Sequence, residues 1–265
     1  MAFRSPIFQS FIALVTLVSS ALCVSCVGNT TSPNPVAQQY PNLVSGSLNG
    51  TTLIVPIPLE QARGMIPKEY VILEKVYRGL IPLFPDGYYP LMVTTAFDHD
   101  LKLPAYNVTV GDFSSAIDGS RGLGLQIWPA KFDPPCDPYK RLPDGSLYLH
   151  SELSDPAVYD ARYVTVQTQP SPTLVPFPLT FIRNVTNQPT FANTSLCDNY
   201  IRLYNTSNSA APHAPQPVVG NVTALLEPLA SNQTWTGVFG WNYATAFIEP
   251  PVPANCSSLA NFVDS

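Results

Sequence analysis

Val218-Val219-Gly220-Asn221-Val222-Thr223-Ala224-Leu225-Leu226, VVGNVTALL, sets the first constraint on the fold. Asn221 and Thr223 form an Asn-x-Thr acceptor for N-linked sugar, and such an acceptor belongs at a surface. On a strand, alternate side chains point to opposite faces, so Val222 must then face a core. The same logic applies to Tyr106–Val110, where Asn107 and Thr109 face out and Val108 and Val110 face in. A chain that repeats this pattern builds sheets with one wet side and one dry side.

Further strands are predicted over residues 91–97, 122–128, 146–149, 161–168, 174–183, 200–204 and 235–248. Two short helices precede most of them. Pro58–Ile66 has a proline in its first turn and Leu59, Ala62, Met65 and Ile66 at helical spacing; Pro67 ends it. A second helix is predicted over Tyr70–Leu80. Residues 205–217 read as a loop, with His213 exposed. The 29 prolines, spread along the chain, exclude long helices. The fold class is α+β: a mostly antiparallel, barrel-like sheet with a few short helices near the N-terminus.

The N-terminus points to a compartment. Arg4 precedes an apolar run from Ile7 to Val24, and small residues follow, the layout of a secretory signal peptide over residues 1–25. Residues 26–44 read as an extended lead-in and 45–265 as one β-rich domain. Nine sequons stand at Asn29, Asn49, Asn107, Asn184, Asn193, Asn205, Asn221, Asn232 and Asn255. That excess implies a secreted glycoprotein. Glycans would also compensate for a charged content of only 12%, about half the usual share. No terminal hydrophobic run suggests a lipid anchor, and no stable membrane anchor is expected.

Five cysteines are present. Cys23 is expected to leave with the signal peptide. The remaining four suggest two disulfides, for which the expected pairing is Cys136–Cys197 with Cys26–Cys256. No CxxC or Cys/His spacing marks a metal site, and no cofactor is expected. A net charge of −5 without any basic run excludes a nucleic-acid footprint. The oligomeric state is left open.

Familiar catalytic signatures are missing: there is no GxSxG, HExxH, P-loop or GxGxxG. Asp98-His99-Asp100 is the densest group of potential ligands, but strand parity sets His99 opposite the two aspartates, so one metal could not take all three. His150 and Glu152 share one strand face. Arg162 shares parity with Val164 and Val166, which places it at the start of an inner face, where a guanidinium needs a carboxylate or an anionic ligand. Lys131 follows Trp128 and Pro129 and precedes Phe132, groups able to form the dry wall a reactive amine requires.

Two stretches carry a resemblance. TTLIVPIPLEQARGMIPKEY (residues 51–70) is similar to the opening of the acetoacetate decarboxylase-like superfamily: a strand, a short helix and a proline-marked IP. SSAIDGSRGLGLQIWPAKF (residues 114–132) resembles that family's central stretch, where a strand leads to a proline followed by paired lysines. The likeness covers about residues 45–250, lies in order and spacing, and is nearest to secreted members from filamentous fungi. It implies a barrel-like fold with an internal pocket and a lysine that attacks a keto compound. Only Lys131 falls near that lysine. Ala130 replaces its partner, and the first strand lacks the family's arginine.

These departures point away from acetoacetate decarboxylation itself. The expectation is a pocket for a small carbonyl-bearing or polyketide-like compound, with Lys131 and Arg162 as its polar groups. Any activity would be lyase-like: decarboxylation, dehydration or cyclisation. The competing expectation is a non-catalytic wall, surface or carbohydrate-binding glycoprotein, in which Trp128, Trp235 and Trp241 stack on sugar rings.

Overall fold

The computed structural model describes residues 32–66, 68, 71–102, 130–154, 162–173, 175–189, 196–227 and 229–259. The signal-peptide run, Asn29, Asn107, Asn193, Cys26, Trp128 and the expected strands over 106–110 and 122–128 lie outside them. One nine-stranded antiparallel sheet dominates and curls into a half-barrel. Its main path runs from β2 (Tyr88–Lys102) through β1 (Val44–Pro58), β10 (Ala230–Glu249), β9 (Gln216–Leu226), β6 (Tyr163–Pro170) and β5 (Leu147–Leu153) to β3 (Ala130–Asp133). Short β4 (Lys140–Arg141) pairs with β5, and β8 (Ile201–Leu203) with β10. β7 (Leu196–Cys197) and β11 (Ala254–Asn255) form a separate ribbon.

The curl follows from the cores. On the concave side, Leu53, Val55 and Ile57 of β1 pack in one cluster with Val166 of β6, Val218 and Val222 of β9, and Trp235 and Val238 of β10. Tyr89, Leu91 and Val93 of β2 join the same cluster as Val164, although β2 and β6 are far apart in the strand order. Gly220 and Gly240 permit this crowding: a Cβ would lie 2.1 Å from the Gln167 carbonyl oxygen and 2.0 Å from that of Thr52, respectively. Bulges at Ser231/Gln233 and Trp235/Val238 bend β10 further.

Among the described residues, the convex side is covered at one end only. Leu48 and Ile54 of β1 and Tyr243 and Phe247 of β10 pack under Tyr77, Ile81, Phe181 and Ile182. These come from α2 (Glu74–Leu80), the residue after it, and α3 (Leu179–Thr186). β1 is therefore buried over eleven consecutive residues, from Ser45 to Val55. α1 (Leu59–Met65) turns its buried Leu59 and Ala62 inward.

The Val222 reading holds. Val222 is 1% exposed, and its neighbours Asn221 and Thr223 lie on the other face. Three expectations change. Residues 174–183 do not form a strand; α3 occupies 179–186, because Pro178 is set before its first turn and Ile182 packs inward. Cys197 pairs with Cys256, at a Cα–Cα distance of 4.8 Å, replacing the expected Cys136–Cys197 and Cys26–Cys256 bonds. The β7–β11 ribbon causes this, since it registers Cys197 against Ala254. Cys136 is also disulfide-bonded, to neither of these two. Finally, Asn49, expected at a surface, is 5% exposed on the concave side of β1, between β2 and β10.

Candidate functional site

The described cleft lies where the concave core runs out. In the β5–β6 register, Ser151 stands against Val164 and Leu149 against Val166, so Ser151 shares the concave face with the core valine. Ala130 of β3 registers with Leu153, and Val164 with Ala224, which continues the same face across the wing. A cavity of about 120 Å³ opens there, lined by Ala130, Ser151, Leu153, Arg162, Tyr163, Val164 and Leu226. The backbone fixes its rim: the Leu153 N–H donates to the Arg162 carbonyl at 2.8 Å. Arg162 thus enters the concave side with Val164, as strand parity requires.

Lys131 does not. It registers with Glu152 on the opposite face from Ala130, and both side chains are exposed. Phe132, expected to help keep it dry, is 52% exposed and lies on the other side of β3 from it. An amine in that setting lacks the dry enclosure that Schiff-base chemistry at a lysine requires. The structure therefore separates the two residues expected to act together.

The cleft chemistry is simple. Leu153, Val164, Leu226 and Ala130 provide an apolar wall, Ser151 a hydroxyl, and Arg162 a guanidinium with five donors in a planar fork. Arg162 has an interaction with the protein, so a ligand would share its donors. Among the described residues, Ser151 has no base beside it. His150 and Glu152 follow the opposite parity, and His150 Nδ1 is held by Thr165 Oγ1 at 2.8 Å. No nucleophile–base pair lines this cleft among the described residues.

Other sequence candidates are also placed. His99 is 7% exposed while Asp98 and Asp100 face outward, so parity separates them as expected. Among the described residues no group of acidic, histidine or cysteine side chains is arranged to hold a metal ion. Trp235 is 7% exposed, and the Trp241 Nε1–H donates to the Phe177 carbonyl at 3.4 Å inside the convex core. Neither offers a sugar-stacking surface. His213 is exposed.

Sequence reasoning missed a second polar cluster. Glu249, at the end of β10, meets Asp198, and burial plus that neighbouring carboxyl hold Glu249 well above the ordinary carboxylate range. Nearby, the Tyr200 hydroxyl donates to Asp98 at 2.9 Å, and its ring stacks on Phe247 at 4.4 Å. Nothing in the spacing of residues 98, 198 and 249 signals this meeting. It is created by β8 folding back on β10.

Five sequon asparagines, Asn184, Asn205, Asn221, Asn232 and Asn255, are exposed. At three, the amide oxygen is engaged as an acceptor: Asn221 from the Gly237 N–H at 3.3 Å, Asn232 from the Tyr163 hydroxyl at 2.7 Å, and Asn255 from the Ser257 N–H at 3.0 Å. The amide nitrogen, the atom a glycan would occupy, takes no part in these bonds. No helix among the described residues is long and apolar enough to cross a membrane. The chain matches no family model, no curated protein and no solved structure.

Proposed function

We propose that this is a secreted, N-glycosylated protein that binds a small carbonyl- or carboxylate-bearing molecule in the concave cleft, without covalent attachment to Lys131. One observation carries the reading: a guanidinium, Arg162, at the edge of an otherwise mostly apolar cavity. Such a group in such a place favours a ligand with a planar, electron-rich oxygen head and a short apolar body. The size narrows it further. A cavity of 150 Å³ takes a benzene ring, so about 120 Å³ suits a fragment of roughly four to six carbons. A polyketide-like molecule would insert one end only.

Secretion and glycosylation rest on the N-terminal run, the sequon excess and the five exposed asparagines. The acetoacetate decarboxylase-like relationship is part of the proposal and rests on residues 51–70 and 114–132 alone. The exposed position of Lys131 supports binding over imine chemistry.

Calorimetry with a panel of short 2- and 3-keto acids and their reduced alcohols tests the site. Arg162→Ala is expected to weaken the best ligand by about ten- to a hundredfold, the value of one charge-assisted hydrogen bond. Lys131→Ala should leave binding unchanged, and borohydride should trap no adduct at Lys131. Equal affinity in wild type and Arg162→Ala would remove the cleft from consideration. A trapped Lys131 imine would restore catalysis.

A further inference from the structure

We propose that His99 is an acid-sensitive latch whose protonation releases the N-terminal strap, residues 32–40, from the sheet. The strap has few attachments, and they converge. The Ser32 N–H donates to His99 Nε2 at 2.7 Å, and the Asn34 N–H to Asp100 Oδ2 at 2.6 Å. Asn34 Nδ2 donates to Ser45 Oγ at 3.0 Å and to the Asp100 carbonyl at 3.3 Å. The Pro33 carbonyl accepts from Ser47 Oγ at 2.9 Å and from Asn208 Nδ2 at 3.4 Å. Beyond these, Val36 packs against Ile201, Ala246 and Ile248.

The His99 contact is the one that cannot survive a proton. A backbone N–H can only donate, so Nε2 must present its lone pair and the ring must carry its hydrogen on Nδ1. Protonation places the ring's second N–H hydrogen at Nε2, directed at the Ser32 N–H. Two donors then face each other at hydrogen-bond distance, and the strap must move. The ring cannot turn outward while the strap stays in place, because His99 is 7% exposed, stacked on Phe97 with ring centres 6.2 Å apart.

The charged groups around the ring set the balance. Asp98 and Asp100 flank it on β2, and Asp137 approaches from the segment after β3; all three favour the imidazolium. Among the described residues, the strap, β1 and the 3₁₀ turn Ser207–Ser209 bring only neutral groups toward this cluster: Ser32, Asn34, Ser45, Ser47 and Asn208. Burial outweighs the carboxylates and holds the ring below its ordinary 6.5. The sign follows. The folded state prefers neutral His99, so its contribution is complete above about pH 6.5 and is lost as pH falls through the lowered value.

Hydrogen exchange of the full chain, corrected for intrinsic rates, tests this. Between pH 7.5 and 5, protection of peptides spanning 32–40 should fall, by about tenfold for each pH unit below about 6.5 until the ring's lowered midpoint is reached. β1 and β10 should keep theirs. His99→Gln supplies a carbonyl acceptor for Ser32 that does not titrate, and the strap should then stay protected throughout. If that variant fails to fold, the wild-type ring's C–H resonance gives the second reading: a midpoint below 6.5 that coincides with strap release. Asp100→Asn should retain the wild-type response. Constant strap protection, a midpoint at or above 6.5, an unchanged response in His99→Gln or a lost one in Asp100→Asn would each overturn the latch.

Discussion

The two halves of the sheet are built to different rules. At one end, β1 and β10 have core on both faces, and polar side chains there must find partners inside. Thr52, fully buried, bonds through Oγ1 to the Tyr243 hydroxyl at 2.7 Å and to Thr94 at 3.0 Å; Thr51 takes the Asn242 amide at 2.9 Å. At the other end, β9, β6, β5 and β3 pack, among the described residues, only on the concave side. Their outer face carries Lys131, His150, Glu152, Tyr163, Gln167, Asn221 and Thr223. Double cover gives rigidity and no access. Single cover leaves a rim where the core thins, and the cleft with Arg162 opens there.

The sharpest way to break this contrast is a pair of truncations. Phe247→Ala, in the doubly covered half, should cost about 3–5 kcal/mol, since a fully buried ring leaves a cavity the packed sheet cannot close. Gln169→Ala, exposed on the wing, should stay within about 0.5 kcal/mol. Comparable urea midpoint shifts for the two would show that the halves do not differ. A smaller effect concerns Glu249, which lies at the edge of the covered half. Its folded-state proton is held more tightly than in the unfolded chain, so its contribution is complete in acid and is lost as pH rises above about 4.5 toward the raised folded value. Stability should therefore decline from pH 6.5 to pH 8, and Glu249→Gln should flatten that slope. Below pH 6.5, His99 acts in the opposite direction. Urea midpoints at three pH values separate the two groups.

The smallest effect, near zero in stability, sharpens the surface map. In a eukaryotic secretory host, Asn221→Gln should remove one glycan step in gel mobility. Asn49→Gln should remove none and should instead lower the yield of folded protein, because Asn49 is buried in the covered half. A glycan lost from Asn49→Gln would mean that β1 is not buried as described.

Parity explains what the sequence made legible. Val222 between two sequon residues, His99 between two aspartates, and Arg162 in phase with Val164 were all placed correctly by the two-residue period of a strand. Parity fails where both faces are buried. In β1, Asn49 and Thr51 read as surface because an Asn-x-Thr acceptor normally is, yet the strands on either side enclose them. It also says nothing about long-range meetings, so the Cys197–Cys256 bond and the approach of Asp198 to Glu249 were invisible. Lys131 is the instructive miss. Its apolar sequence neighbours suggested a dry pocket, but adjacent strand residues face opposite ways, and Ala130 took the inner side.

Strand β10 belongs to both halves at once. Its twenty residues would measure about 65 Å if drawn out straight, longer than a protein of this size is wide. The two bulges fold that length around the half-barrel, so the strand that carries Trp235 in the wing is the one that carries Phe247 under the helices. The halves are consequently not modules. No cut in the chain can yield one of them intact, a shuffled gene could not donate the cleft without the covered half, and a break anywhere along β10 should unravel both together.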